Sequence, residues 1–286
     1  MAGVSVPITC DRCRSLSDLT GNQGDALGIS VVIPTYNRRE SLLRAIDSVA
    51  TADPSRVEIV VVDDGSAIDA RSFVRLVNAH GIPVRCFRQQ RNRGPQAARN
   101  LGIRRARYPY VAFLDSDDTF RADKVDRVMA ELASGRIDLL FHAVSGMKSY
   151  NVLGALWSRY LSFAIPFRWL AAVYNPAPTP GLVIRRMRRL GAPRLTHCED
   201  YFFLLRYASS EIRVRYIHDE LSSVCRAPGT GGGLSESAWR MRVGEFAARR
   251  ALLKERRFSN CTRFLVGTAV GVARVASDLI RGRYFG

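Results

Sequence analysis

The chain has 286 residues, 47% of them hydrophobic, and a formal net charge of +17. That length suits one large α/β domain or a domain with an appendage, and six scattered cysteines (10, 13, 86, 198, 225 and 261) exclude a disulfide framework. The charge is carried almost wholly by arginine, with lysine only at 124, 148 and 254, which keeps nucleic acid, anionic lipid and phosphorylated compounds in view as partners.

Residues 1–28 are polar and aperiodic and read as a disordered lead-in; they lack the basic and apolar regions of a signal peptide, so a cytoplasmic location is expected. Cys10-x-x-Cys13 has no second pair at zinc spacing and is not read as a metal site. Strand and helix patterns then alternate. Ile29–Pro34 is a β-rich run, and Arg38–Ala50 has helical spacing with Leu42, Leu43, Ile46 and Val49 on one side. Val57–Val62 is a second strand, Ile68–Ala79 a second helix, Val84–Phe87 a third strand and Gln96–Ala106 a third helix. Tyr110–Leu114, Arg121–Leu132 and Ile137–Phe141 complete the series as strand, helix and strand. This order predicts a mostly parallel sheet with helices on both faces.

The pattern loosens after residue 142. Gly154–Tyr174 is apolar and aromatic, but Arg159, Pro166 and Arg168 interrupt it, so packing within the fold is expected rather than a membrane span. Gly181–Ile184 reads as a returning strand, Glu199–Ala208 as a helix, Ile212–Ile217 as a further strand and Pro228–Gly233 as a mobile loop. The domain is expected to run over 29–234. A basic helical segment follows over 235–286, with 11 arginines or lysines against 4 acids. Phe264–Ala273 within it is uncharged but too short to span a bilayer; it suits either an anionic membrane surface or a packed helix with a solvated basic face.

The chemistry concentrates at strand ends. Ligands of an open parallel sheet bind outside the carboxyl ends of its strands, where this sequence places Pro34-Thr-Tyr-Asn37, Asp63-Asp-Gly-Ser66, Arg91-Asn-Arg-Gly94 and Asp115-Ser-Asp-Asp118. Each alone is ordinary turn chemistry; together they form one rim. Three carboxylates within four residues repel one another unless a cation neutralises them, and a hard divalent metal has the right oxygen preference. Such a rim suits a nucleotide diphosphate: Tyr36 packs on a base, Asp64 accepts from an imide N–H such as that of uracil, Asp117 with Asp115 holds the metal, and Arg93 and Arg99 supply positive charge. No G-x-G-x-x-G or G-x-x-x-x-G-K-[ST] is present to support a dinucleotide-binding dehydrogenase or a P-loop NTPase.

Val31-Val-Ile-Pro-Thr-Tyr-Asn-Arg38, Val61-Val-Asp-Asp-Gly-Ser66, Asn92-Arg-Gly-Pro-Gln-Ala-Ala-Arg-Asn-Leu-Gly-Ile103 and Phe113-Leu-Asp-Ser-Asp-Asp118 resemble, in order, the successive motifs of family-2 glycosyltransferases with the GT-A fold. The likeness covers roughly residues 29–230 and is strongest up to 142. It implies that Pro34, Thr35, Tyr36, Asp64, Arg93, Arg99 and Asp115 bind the donor, and that Asp117 and Asp115 hold Mn²⁺ or Mg²⁺. Thr196-His-Cys-Glu-Asp-Tyr-Phe-Phe-Leu-Leu-Arg206 resembles the family's Glu-Asp motif, which makes Asp200 the general base; acids favoured by a helix N-terminus are the plainer reading of that pair. Arg226, before Gly229-Thr230, resembles more loosely the arginine that precedes a flexible loop over the pyrophosphate, while Asp118 reads as a turn acid and His197 and His218 as structural. The resemblance implies an inverting transferase that moves a sugar from a nucleotide-diphospho-sugar, most naturally UDP-linked, to a glycan or lipid-linked glycan. Cell-surface polysaccharide synthesis, cytoplasmic or peripheral at the inner face of the membrane, is the expected setting. The competing classes are a basic nucleic-acid binder, for which no aromatic platform or known module is found, and a metal-independent glycoside hydrolase, which the motif order opposes. Nucleic acid is therefore not expected as a partner.

Overall fold

The computed structural model describes residues 27–77, 79–186, 198–208, 211–225, 238–254 and 261–280. In chain order its elements are β1 (Ile29–Thr35), α1 (Arg39–Asp47), β2 (Val57–Asp63), α2 (Arg71–Val74), β3 (Val84–Arg88), α3 (Pro95–Arg105), β4 (Tyr110–Phe113), β5 (Thr119–Phe120), α4 (Lys124–Ala133) and β6 (Leu139–Ser145). They continue with α5 (Lys148–Leu156), α6 (Phe167–Val173), β7 (Leu182–Arg185), α7 (Glu199–Tyr207), β8 (Val214–Ser223), α8 (Ala238–Lys254) and α9 (Cys261–Ile280).

The strands form one sheet in the order β3-β2-β1-β4-β7-β6-β8-β5. Its first half is parallel, β1 pairing with β2 from Ile29↔Val57 to Thr35↔Asp63 and with β4 from Ile29↔Tyr110 to Val32↔Phe113. Alternation along β1 fills two cores, because successive side chains of a strand point to opposite faces. Val31 and Ile33 meet Leu42 and Ile46 of α1 on one face, while Val32 joins Ala98 of α3, Phe113, Phe141 and Tyr201 on the other. Helices therefore cover both faces, as expected.

Several boundaries differ from the sequence reading. The second half of the sheet is mixed: β7 enters antiparallel between β4 and β6, and β5 pairs antiparallel with β8. The expected returning strand over Gly181–Ile184 is β7, which the chain reaches after α5 and α6 and inserts between β4 and β6. The second helix is only α2, since Asp69 Oδ1 accepts the Arg71 N–H at its start and residues beyond Val74 continue in i→i+3 turns that leave Leu76 exposed. The last sheet strand runs on to Ser223, and the two-residue β5 carried no sequence signal. Within Gly154–Tyr174, Trp157, Phe167, Ala171 and Ala172 pack inside as expected, whereas Tyr160, Leu161 and Phe163 face solvent. The C-terminal segment is helical among its described residues and packs on the domain: α8 packs on α7, α9 packs on α6 and α8, and Ala248, Arg249 and Leu252 are buried. The lead-in up to residue 26, Cys10, Cys13, His197, Arg226 and the Pro228–Gly233 stretch lie outside the described residues.

Candidate functional site

The carboxyl ends of β1, β2 and β4 carry the rim. Asp63 and Asp64 end the second strand and divide two tasks. Asp63 is fully buried and organises the turn, its oxygens accepting the N–H groups of Ser66 (2.8 Å) and Ala70 (3.1 Å). Asp64 turns the other way, onto the Arg91–Gly94 segment: Oδ1 accepts from Gln89 Nε2 and the Arg93 N–H (both 2.9 Å), and Oδ2 accepts from the Gly94 N–H (2.8 Å). Burial raises its pKa, against the two backbone donors, which favour the charged form. Gly65 makes this approach possible. Its φ is +78°, and a Cβ there would stand 2.7 Å from the Arg91 carbonyl carbon.

Gly94 (φ +89°) and Pro95 open α3, leaving free N–H groups at its first turn. One of these, on Gln96, donates to Glu199 Oε2 at 3.3 Å. Glu199 thus caps α3 rather than only decorating the start of its own helix, and it joins α7 to the Asp64 loop through a few residues. Burial is the largest influence on Glu199 and raises its pKa, with Asp200 and Asp64 adding to the rise against the Gln96 N–H and Arg99. Asp200, the next residue, receives a long contact from Asn175 Nδ2 (3.5 Å).

Arg99, on the inner face of α3, pairs with Asp115 Oδ1 and also feels the charges of Asp200 and Glu199. Burial works against its charge, yet these carboxylates hold its pKa above the ordinary value. Arg38, the last residue of the first motif, forms an ion pair with Asp117 Oδ2. The acid cluster is therefore balanced by two arginines in this conformation, so the close carboxylates do not by themselves demand a metal. Asp118 is more than a turn acid: it is buried, and its Oδ1 accepts the Cys225 N–H (3.0 Å), tying the end of β8 to the cluster. Burial, reinforced by Asp115 and Asp117, pushes its pKa up to about 7. Behind it Lys124 is fully buried, donating from Nζ to the Pro180 carbonyl (2.7 Å) and Ser222 Oγ (3.0 Å).

The remaining expected residues fall on the same rim with different exposure. Tyr36 is open to solvent, whereas Pro34 and Thr35 are buried in the strand and frame the rim through the backbone, the Thr35 carbonyl accepting from the Asp64 N–H (2.8 Å). The Arg93 residue is exposed. Sequence reasoning missed Gln89 and Asn175, and it quoted Arg38 and Glu199 within motifs without assigning either a role. For a divalent cation, Asp115 and Asp117 provide hard oxygen donors on a solvent-facing edge, and that donor chemistry fits Mn²⁺ or Mg²⁺. They are a partial set, since no group of three metal-ligating side chains occurs among the described residues.

Residues 30–189, more than half of the chain, match the family model for glycosyl transferase family 2. The chain belongs to that family. The succinoglycan biosynthesis protein ExoO of Rhizobium meliloti is 44% identical over 112 residues, covering 38% of this chain and 31% of ExoO. An uncharacterized glycosyltransferase of Rickettsia conorii is 43% identical over 117 residues, covering 41% of this chain and 18% of that protein. The chain thus spans less than half the length of these curated relatives. Among solved structures, S. aureus TarS 1-349 in complex with UDP-GlcNAc superposes with a TM-score of 0.63 at 19% identity, over 79% of this chain and 65% of TarS 1-349. The mannosyltransferase PcManGT from Pyrobaculum calidifontis, in complex with GDP-Man and Mn2+, gives 0.57 at 18% identity over 93% and 85%. At such identities the likeness shows the fold, and the fold is GT-A.

Proposed function

We propose that this chain is an inverting glycosyltransferase that moves a sugar from a nucleotide-diphospho-sugar, UDP-linked, to a glycan or lipid-linked glycan in cell-surface polysaccharide synthesis. The observation that carries the proposal is the convergence on one rim of Asp64, the Arg99–Asp115 pair and Asp117, joined from α7 by Glu199, the neighbour of Asp200, from segments distant in sequence. Family membership and the relatedness to ExoO support the polysaccharide setting. The UDP-GlcNAc and GDP-Man bound by the two structural neighbours support a sugar nucleotide as donor.

In this reading Tyr36 packs on the base, and Asp64 receives the base's imide N–H once the Arg93 and Gly94 amides share or release it. Pro34 and Thr35 shape the floor of that pocket. Arg93 and Arg99 face the diphosphate, and Arg226 is assigned to the same group from the sequence motif. Asp117, with Asp115, would hold Mn²⁺ or Mg²⁺, which when bound stabilises the negative charge that grows on the departing diphosphate. Asp200 takes the proton of the acceptor hydroxyl as that oxygen attacks C1. The C1–O bond to phosphate breaks on the opposite face, and the nucleoside diphosphate leaves. Inversion follows from placing base and leaving group on opposite sides of the sugar. Among the described residues no helix is long and apolar enough to cross a membrane, and the proposed location is cytoplasmic, peripheral at the inner face.

The test is nucleotide release from a panel of UDP- and GDP-sugars with Mn²⁺ and glycan acceptors. Release from UDP-sugars, lost in Asp117→Asn together with Mn²⁺-dependent nucleotide binding, is expected. Absence of turnover on every UDP-sugar would overturn the donor assignment.

A further inference from the structure

The C-terminal helix α9 exposes its apolar face. In α9 the residues Leu265, Val266, Ala269, Val272 and Ala273 are exposed, Leu265 at 63% and Val272 at 57%. They recur at i, i+1, i+4, i+7 and i+8, the spacing of one continuous helical stripe. The buried side carries small residues instead. A Cβ on Gly267 would stand 2.3 Å from the Ala172 carbonyl oxygen, and one on Gly271 would stand 3.0 Å from the Phe246 ring, so these glycines let α9 press onto α6 and α8.

The seam beneath is polar. Arg249 is fully buried, donating from Nε to the Ala172 carbonyl (3.0 Å) and from Nη2 to the Val173 carbonyl (3.2 Å) and the Tyr201 hydroxyl (3.0 Å). Arg274 turns inward to Glu245 (3.3 Å) and over the Tyr174 ring. A helix in water normally buries its bulky apolar residues and exposes its arginines. Over its uncharged Phe264–Ala273 stretch α9 instead turns Leu265, Val266 and Val272 outward and Gly267 and Gly271 inward, which is the arrangement expected where the outer medium is itself apolar.

We infer that the outward face of α9 lies in the surface of an anionic lipid bilayer and seats this protein on the membrane. The charge selects that occupant. The segment 235–286 has 11 basic residues against 4 acidic ones, and beyond the inward Arg249, Arg274 and Glu245 the balance is 9 against 3, which attracts an anionic leaflet. A second copy would bring its own +17 against the first, which disfavours self-association through this face. The placement also deepens the proposed activity and rests on it. Arg274 stacks on Tyr174, Tyr174 contacts Tyr150 at 5.4 Å between centroids, and Asp200 lies within electrostatic reach of Tyr150. The inner side of α9 thus borders the wall that leads to the proposed base, and a leaflet against its outer face would bring an anchored acceptor to the same end of the molecule.

The experiment is co-sedimentation of the full chain with vesicles of phosphatidylcholine alone or mixed with phosphatidylglycerol. Binding is expected only with phosphatidylglycerol, weakening roughly tenfold or more in Leu265→Asp/Val272→Asp. Thermal melting of that variant reports whether it folds. Val272→Trp provides an independent readout, since its fluorescence should be quenched by brominated phosphatidylglycerol beyond the quenching of the native tryptophans. Equal vesicle binding by the wild type and the double aspartate variant, or no quenching at position 272, would overturn the inference. So would light scattering that shows a wild-type dimer and a monomeric aspartate variant. Asp117→Asn should bind vesicles normally, and Leu265→Asp/Val272→Asp should still turn over a water-soluble acceptor, so the docking and the catalytic reading fail separately.

Discussion

Replacing Arg38 with alanine should tighten Mn²⁺ binding in the absence of a donor. In the structure the Arg38 guanidinium holds the Asp117 carboxylate that the cation would take. Any metal entering there must first displace the arginine, so the ion pair is a competitor whose strength sets the effect. The side chains are 41% and 29% exposed, which places the pair near the surface, in a strongly screened setting. Pairs of this kind contribute about 0.2–1 kcal/mol, so their removal should lower the Kd for Mn²⁺ by about 1.4- to fivefold. Binding can be followed by the loss of the free Mn²⁺ electron paramagnetic resonance signal at fixed ionic strength. The gain should shrink as salt rises, because salt already weakens the competing pair. Asp117→Asn should remove the gain when combined with Arg38→Ala. Unchanged or weaker Mn²⁺ binding in Arg38→Ala would show that the arginine supports the cation's site instead of occupying it.

Asp200→Asn should leave nucleotide binding nearly unchanged and lower turnover by about 10²–10⁴-fold, the range for loss of a general base; full activity in steady-state nucleotide release would remove Asp200 from that role. Glu199→Gln should alter the pH dependence of stability. The folded-state pKa lies above the ordinary 4.5, so the folded protein retains this proton more readily than the unfolded chain, and stability falls as pH rises from 4.5 through the raised value. The glutamine keeps an acceptor for the Gln96 N–H, so its melting temperature relative to wild type should climb over that window, whereas a pH-independent difference would contradict the assignment. Gly65→Ala should destabilise the fold by about 1–3 kcal/mol in denaturant titration, because the residue would be held at positive φ with its Cβ against the Arg91 backbone. A neutral effect would mean that the Asp64 loop relaxes without cost.

The parallel half of the sheet was legible because its signals are local. Val31–Ile33, Val57–Val62 and Tyr110–Phe113 are apolar runs of strand length, each followed by turn residues, and they lie in the sheet as read. Where β7 would insert was not legible, since pairing between residues as remote as Ala112 and Val183 leaves no mark on the pattern of either segment. The same holds for the site. Asp64, Asp115 and Asp117 stood out through spacing and strand-end position, and Asp200 through the likeness of its segment to the family's Glu-Asp motif. The roles of Arg38 and Glu199 depend on partners 79 and 103 residues away, and only the folded chain shows them. The α9 stripe was visible as an uncharged run, but its direction was not: the helical period gives a face without saying whether that face turns inward.

The cation assigned to the acid cluster and the excess charge of the chain are linked. An internal ion pair removes one base and one acid from the balance, so pairs such as Arg99–Asp115, Arg38–Asp117 and Arg85–Glu58 leave the net +17 untouched. That excess is therefore carried by arginines and lysines beyond such pairs. A divalent cation at Asp117 would add to it and free Arg38 as well, making the rim more positive than before. An anionic diphosphate is the natural counterion for that state. Metal and sugar nucleotide should therefore bind with positive coupling, each tightening the other by the same factor. Titrating nucleotide with and without Mn²⁺, and Mn²⁺ with and without nucleotide, measures both arms. Unequal factors would mean that a further binding equilibrium, such as Mn²⁺ on free nucleotide, was left out of the cycle, and a factor of one would separate the metal from the donor altogether.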